Sequence, residues 1–182
     1  MNDGARLRAW GIAALLVALC VVMRIVPHTW NVTPVAATAL FAGFMIRNRA
    51  VAMLVPMAAL LIGDLFGPGL YDAWLMVAVY AGLAAPALLG RFVRGKWMPL
   101  RVLGASVLGS VLFFGVTNLA AFFTMGLYAR SFGGLVECYV AGLPFFRNTL
   151  LGDLAWNCTL FGAWAVLPMA WARLRTSAKV AA

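Results

Sequence analysis

Six apolar runs, separated by short polar or basic segments, limit what this chain can fold into. Most of the runs are long enough to cross a hydrocarbon core of about 30 Å as a helix. The chain is 65% hydrophobic and only 10% charged, which lies outside the range of ordinary soluble domains. The sequence therefore predicts an all-α fold, a polytopic membrane bundle of six transmembrane helices. The predicted spans are residues 9–26, 34–46, 51–66, 73–90, 102–125 and 148–171.

The distribution of basic residues predicts the orientation of the bundle. With the N-terminus inside, only Arg24, Arg130 and Arg147 of the 14 lysines and arginines fall outside the cytoplasmic segments, as the positive-inside rule requires. The second run is short for a span and could be re-entrant, but re-entry would place the most basic loop, 91–101, on the outer side. We therefore predict cytoplasmic N- and C-termini. Residues 1–172 form a single integral membrane domain, and residues 173–182 form a basic cytoplasmic tail.

Residues 126–147 differ from the six runs, because they mix glycines with charged and aromatic side chains. A seventh span here would export the basic tail. Glu137 and Pro144 favour a segment that lies at the membrane surface instead. The sequence predicts an outer interfacial or lid segment between the fifth and sixth helices. The glycines expected to let it move are Gly126, Gly133, Gly134 and Gly142.

The stretch from Leu143 to Asn157, LPFFRNTLLGDLAWN, carries the strongest functional signal. A carboxylate that faces lipid is costly, so we expect Asp153 to face the bundle interior or a wet cavity and to have a partner there. Under the predicted topology the other non-cytoplasmic charges and amides lie at the same outer side, which indicates an outward-opening polar cavity. The predicted substrate-binding residues are Arg24, His28, Asn31, Asp64, Asn118, Arg147, Asn148, Asp153 and Asn157.

Ion pairing is the alternative explanation for the charged members of this set. The candidate pairs are Arg24 with Asp64 or Asp153, and Arg147 with Asp153 or Glu137. Such pairs can serve only to fix the register of the helices. The sequence leaves both explanations open.

Enzyme motifs are absent from the sequence. There is no glycine-rich phosphate loop, no nucleophile with a suitable histidine base and no HExxH sequence. A lone His28 makes no metal site, and Cys20, Cys138 and Cys158 lack metal-ligand spacing. The net charge of +9 falls in short loops, where it sets orientation and does not indicate nucleic acid. We therefore expect no catalysis, no cofactor and no metal.

Four motifs carry a resemblance: RIVPHTWNVTPVAATALFAG (24–43), LLIGDLF (60–66), FFGVTNLAAFF (113–123) and CYVAGLPFFRNTLLGDL (138–154). They resemble a widespread family of bacterial membrane proteins that are described as transport proteins. That family is similar in size and topology to the substrate-binding S components of energy-coupling factor (ECF) vitamin transporters. The resemblance implies a bacterial inner-membrane protein that binds a vitamin-sized molecule from the outer side.

The same resemblance implies a partner. S components engage their coupling subunit through an Ala-xxx-Ala surface on the first helix. In this chain Ala9 with Ala13 and Ala14 with Ala18 both occupy corresponding places, so either pair could make the contact.

Our leading hypothesis is a transporter component that binds a small molecule of the vitamin or precursor class. It would contact the lipid bilayer and an energising membrane subunit with its ATPases. A hypothesis of a different class is a non-transporting membrane scaffold whose polar network is purely structural. A self-sufficient carrier is the third.

Overall fold

The computed structural model describes residues 3–26, 31–67, 69–95 and 98–180, and it is 86% helical. This confirms the all-α prediction. A short 3-10 helix, Gly90–Val93, continues the fourth helix. The helices are α1 (Asp3–Ile25), α2 (Val35–Met45), α3 (Arg49–Phe66), α4 (Ala73–Leu89), α5 (Met98–Thr124) and α6 (Phe132–Val180).

Five helices in the described part of the chain are long and apolar enough to cross a membrane, so the fold is that of a multi-pass membrane protein. The exception is α2, whose 11 residues rise only about 17 Å. A hydrocarbon core is about 30 Å thick. The helix predicted over residues 34–46 is therefore present, but it is too short to cross such a core as a helix alone. Pro34, which has no N–H and a fixed φ, stands at the N-cap, and the helix begins only after it.

The short helix α2 is nevertheless the centre of the bundle. It contacts every other helix, and nine of its eleven residues are buried. Glycines allow this close approach: Gly43 lies against the backbone of Ala87, and a Cβ at Gly43 would come within 3.1 Å of Gly90 Cα. A helix enclosed on all sides has no solvent face to keep polar. This explains why the sequence of α2 is apolar all round.

The directions of the first three helices alternate. An ion pair between Arg24 and Asp64 joins the last turns of α1 and α3, so these two helices are parallel. Between them α2 runs the opposite way. Its Thr38 meets Cys20 near the end of α1, and its later turns share a core cluster with Leu16. We call the end of the bundle that holds Arg24 and Asp64 the Asp64 end.

The opposite end of the bundle gathers basic side chains, and we call it the arginine end. Arg47, Arg49, Arg91 and Arg94 line a cavity of about 150 Å³ there. The carbonyl of Phe44 accepts hydrogen bonds from two nitrogens of Arg94, one of them Nε at 3.0 Å. A cation at this position satisfies a free carbonyl and offsets the negative end of the helix dipole. Arg94 thus closes the C-terminus of α2.

The last helix, α6, runs without a break for 49 residues, or about 74 Å. Ser131 starts it by accepting a hydrogen bond from the N–H of Gly134 at 3.2 Å. The helix then continues through Pro144. The prediction of a separate lid segment is therefore wrong from Phe132 onward. Only residues 125–131 connect α5 to α6 as a non-helical segment.

Two of the four glycines expected to loosen this segment instead pack against neighbouring residues: Gly142 against α5 and Gly134 against the backbone of Ala129. Gly126, with φ of 65°, and the exposed Gly133 do not. Gly134, Cys138 and Gly142 recur every four residues, and all three are buried. A Cβ at Gly142 would lie 2.9 Å from the Phe114 ring and would overlap Asn118. Small residues let two helices approach closely in a membrane. This stripe is therefore a packing surface and not a hinge.

Candidate functional site

Two groups of polar side chains lie in the bundle. We call the first the Asp64 cluster: Arg24, Asp64 and Tyr80, with the exposed Tyr71 at its rim. Arg24 and Asp64 form the one salt bridge found among the described residues. The Asp64 side chain is fully buried and that of Arg24 is 18% exposed. A buried carboxylate needs such a partner, since an unpaired charge in the interior is strongly destabilising. The predicted pair of Arg24 with Asp64 is confirmed.

Local sequence positions the Asp64 cluster. Gly63 makes room for the arginine, because a Cβ there would lie 2.9 Å from Arg24 Nε. Asp72 caps α4 through its side chain and so fixes where that helix starts. Tyr71 consequently lies just before α4, and Tyr80 lies two turns into it. Three helices thus contribute to one polar site at the Asp64 end.

Three polar atoms of the Asp64 cluster are buried without a well-formed hydrogen bond in the described chain. They are Arg24 Nε, Asp64 Oδ2 and the Tyr80 hydroxyl. Tyr80 lies within electrostatic reach of both Asp64 and Arg24, and its hydroxyl lies close enough to the Asp64 carboxylate to interact with it as a hydrogen-bond donor. The three atoms comprise a donor, an acceptor and a hydroxyl that can act as either. Buried polar groups in native proteins are nearly always paired, so this set is complementary to a small polar molecule.

Tyr71 lies at the rim of the Asp64 cluster, in the connection between α3 and α4. Burial raises the pKa of its phenol to about 12, and the nearby Asp64 acts in the same direction while Arg24 opposes it. The phenol therefore stays neutral at physiological pH. It keeps a hydroxyl hydrogen available for donation at the edge of the site.

The second group, the Asp153 cluster, joins α5 to α6 near the middle of the 27-residue α5. It consists of Ser106, Ser110, Asp153 and Asn157, each at most 5% exposed. The Ser110 hydroxyl lies 2.6 Å from Asp153 Oδ2, and Asn157 Nδ2 donates to Ser106 Oγ at 3.0 Å. The pattern shows that α5 and α6 are antiparallel. Ser106 and Ser110 are four residues apart on α5, and Asp153 and Asn157 are four apart on α6. Each pair therefore lies on one face of its helix, and the two contacts occur one turn apart.

A cavity of about 10 Å³ adjoins the Asp153 cluster. That is room for about one water molecule. Its lining combines Ser106, Asp153 and Asn157 with apolar residues of three helices. Asn157 Oδ1 is buried and has no hydrogen-bond partner among the described residues. The apolar part of the lining is Ala36, Leu40, Pro86, Ala105 and Gly109.

The partner of Asp153 is a hydroxyl and not an arginine. Arg147, one turn and a half earlier on α6, has an exposed side chain and forms no ion pair within the described ranges. Glu137 is exposed as well. The predicted pairing of Arg147 with either acid is therefore wrong, because the packing of α6 turns Arg147 away from the interior.

The other predicted substrate-binding residues that the structure describes lie outside the two clusters. Asn118 donates from Nδ2 to the Phe114 carbonyl of its own helix at 2.9 Å. Asn31 is exposed, with φ of 62°, in the segment that precedes α2. Asn148 is half-buried on α6. His28 lies outside the described residues.

Residues predicted to share one cavity are thus divided between two clusters, and sequence reasoning missed half of the members. Ser106 and Ser110 did carry a signal, because their spacing of four matches that of Asp153 and Asn157. The tyrosines carried none, since aromatic residues near a helix end are common at membrane interfaces. The missed members are Ser106, Ser110, Tyr71 and Tyr80.

The structure distinguishes the two alanine pairs of α1. Ala9 is half-buried and Ala13 is buried, so this pair packs within the bundle. Ala14 and Ala18 are exposed. They line an apolar groove of about 460 Å³ between α1 and α3.

The fold and its buried polar clusters define the chain as a multi-pass helical membrane protein. Residues 5–176 match a family of unknown function, DUF6580, and the chain belongs to that family. No curated protein and no solved structure matches the chain.

Proposed function

We propose that this protein is a transport component of the bacterial cytoplasmic membrane that binds a small polar molecule at the Asp64 cluster. The supporting observation is the set of three buried polar atoms on Arg24, Asp64 and Tyr80 that lack a well-formed hydrogen bond among the described residues. Such a ligand offers an acceptor to Arg24 and a donor to Asp64, as amides, ureas and zwitterions do. Vitamins and their precursors, the class implied by the resemblance to S components, include molecules of this kind.

Orientation follows from the charge of the two ends. The arginine end would face the cytoplasm, since basic loops are retained there. The Asp64 cluster would then be reached from outside, and both termini would be cytoplasmic. The short α2 would complete its crossing through residues 31–34, because non-helical backbone at membrane depth is tolerated where protein buries it. Val32 supports this, since its Cα would lie 3.1 Å from a Cβ at Gly152 of α6.

An energising subunit is part of this proposal. Ala14 and Ala18 are the alanine pair left exposed, and the groove beside them would take a helix of the coupling subunit. Uptake by vesicles that contain this protein alone would instead identify a self-sufficient carrier.

Thermal unfolding of the detergent-purified protein against a panel of vitamins, precursors and nucleobases tests the proposal. A ligand that binds only the folded state stabilises it by about 2.7 kcal/mol at a hundredfold excess over Kd. The expected hit disappears in the charge-balanced double variant Arg24→Gln with Asp64→Asn. It persists in Asp153→Asn, the matched control in which a buried carboxylate is removed elsewhere.

The scaffold alternative makes the opposite prediction. A flat response across the panel, together with full function in cells of Arg24→Met with Asp64→Leu, would overturn the binding proposal. The ion pair would then be structural only.

A further inference from the structure

Asp153 differs from every other acid in the described chain, because it is buried in the middle of the bundle without a cation. We propose that Asp153 holds an exchangeable proton and that the Asp153 cluster is a proton-binding site. The inference rests on hydrogen-bond geometry and on the surroundings of the carboxyl group. A role for this proton in driving transport rests on the proposed transport function, whereas the protonation of Asp153 does not.

Among the described residues, the surroundings contain no cation that would neutralise a carboxylate. Asp153 is 4% exposed. The neighbouring elements α2, α4 and α5 contribute Ala36, Leu40, Pro86 and other uncharged residues to the cavity beside it. Within the described ranges, no charged or titratable side chain of these helices, or of α6 itself, acts on Asp153. An ionised carboxylate in such a site loses its hydration without gaining a counter-charge, so the neutral acid is favoured.

The hydrogen count supports the neutral acid. The Ser110 hydroxyl has a single hydrogen but lies near two acceptors, the Ser106 carbonyl oxygen at 3.0 Å and Asp153 Oδ2 at 2.6 Å. If Ser110 donates to Ser106, as serines in helices commonly do, the hydrogen in the 2.6 Å contact must come from Asp153. The Asp153 carboxyl group then donates to Ser110 Oγ, and Ser110 Oγ donates to the Ser106 carbonyl oxygen. Each of these three oxygens then has a hydrogen-bond partner.

The hydrogen bonds can also be accounted for when Asp153 releases its proton. The O–H bond of the carboxyl group breaks, the electron pair stays on Oδ2 and the proton passes to a water molecule in the adjoining cavity. The Ser110 hydroxyl then rotates from the Ser106 carbonyl to donate to the new carboxylate. Asn157 Oδ1, which is buried and unpartnered, is placed to accept a hydrogen bond from that water.

A non-helical segment packs on α6 one residue before Asp153. Gly152, next to Asp153, lies against Val32 and within 3.6 Å of the Asn31 carbonyl oxygen, both measured to a Cβ built on the glycine. Residues 31–33 lie outside any helix.

Infrared difference spectroscopy of the protein in lipid nanodiscs tests the proton site without any transport substrate. The chain has five acidic residues, so the carbonyl stretch of a protonated carboxylic acid can be assigned by single variants. We expect one such band at neutral pH that shifts in D₂O and disappears in Asp153→Asn. It should persist in the control Asp72→Asn, which keeps a good helix cap.

A second variant covers the case in which Asp153→Asn fails to fold. Ser110→Ala leaves the carboxyl group in place but removes its hydrogen-bond acceptor, so the band should move in frequency and keep its intensity. Absence of a protonated band in the folded wild type would overturn the proposal, as would a band that survives Asp153→Asn. Stabilisation by Na⁺ over choline that requires Asp153 would also overturn it, because the occupant would be a metal cation. A protonated band, together with a flat ligand panel and full function in cells of Arg24→Met with Asp64→Leu, would leave the proton site standing and remove the proposed function.

Discussion

The two buried aspartates of this bundle solve the same physical problem in different ways. Asp64 is fully buried, but it lies near one end of the bundle and has the Arg24 guanidinium as its partner. Asp153 lies between α5 and α6 near the middle and has only the Ser110 hydroxyl. A guanidinium neutralises a carboxylate, whereas one hydroxyl does not. The comparison teaches that burial alone does not define the role of an acidic side chain. The role depends on whether its partner carries a positive charge.

The largest expected effect comes from breaking the ion pair. Asp64→Asn leaves Arg24 in the interior without a counter-charge, which should cost about 3–5 kcal/mol of unfolding free energy. Denaturant unfolding of the purified protein, followed by tryptophan fluorescence, measures this loss. The double variant Arg24→Met with Asp64→Leu should recover most of it. Equal losses in the single and double variants would show that the charge of Arg24 is not the cause.

A pair of glycine variants tests the packing of the two clusters. Gly63→Ala forces the Arg24 side chain to move, since the new methyl group would lie 2.9 Å from Nε, and should cost about 1–3 kcal/mol. Gly109→Ala brings the new methyl group against the Pro86 ring, with Cγ nearest at 3.1 Å, beside the small cavity, and should cost less than about 1 kcal/mol. Thermal unfolding of both variants in one detergent makes the comparison. The reverse order would mean that the Asp153 cluster is the tighter site.

Asp153→Asn should lower the unfolding free energy by less than about 1 kcal/mol at neutral pH, the range of one net hydrogen bond. An amide resembles the neutral acid in shape and can donate to Ser110 in the same way. The contrast with Asp64→Asn, measured in the same unfolding assay, is the sharpest test of the comparison. Losses of similar size in the two variants would indicate that Asp153 is an ionised, structurally paired group.

The smallest effect concerns Tyr71 at the rim of the Asp64 cluster. Subtracting the ultraviolet pH titration of Tyr71→Phe from that of the wild type isolates its phenolate signal. That signal should appear near a pKa of about 12, above the ordinary value of about 10. Because the folded-state pKa is raised, the contribution of Tyr71 to stability is full below pH 10 and is lost as the pH rises toward 12. A signal near pH 10 would place Tyr71 outside the influence of burial and Asp64.

Sequence reasoning predicted the helices more accurately than the packing between them. It predicted helical runs that correspond to the elements from α1 to α6, and it included Arg24 with Asp64 among the candidate ion pairs. It failed at α6, where Gly142 and Pro144 indicated a separate lid. A glycine in a membrane helix can be a hinge or a packing surface, and only the residue opposite it decides. Here that residue is Asn118.

The candidate site was divided in a way that the sequence did not reveal. Arg147 lies closer to Asp153 along the chain than Ser110 does, yet the structure pairs Asp153 with Ser110. Facing positions on two helices depend on the rotation of each helix about its own axis, which distant packing contacts set. Sequence distance therefore suggested the wrong partner.

By itself, the sequence determined that this chain is a helical membrane protein and that it contains acids which must be satisfied inside it. These properties follow from hydropathy, which accumulates residue by residue along the chain. Only the tertiary structure decided that α2 is short and enclosed, that α6 is continuous, and that Asp64 and Asp153 lie in separate clusters. Those outcomes depend on how closely helices approach, and close approach is a property of surfaces that residues far apart in sequence build together.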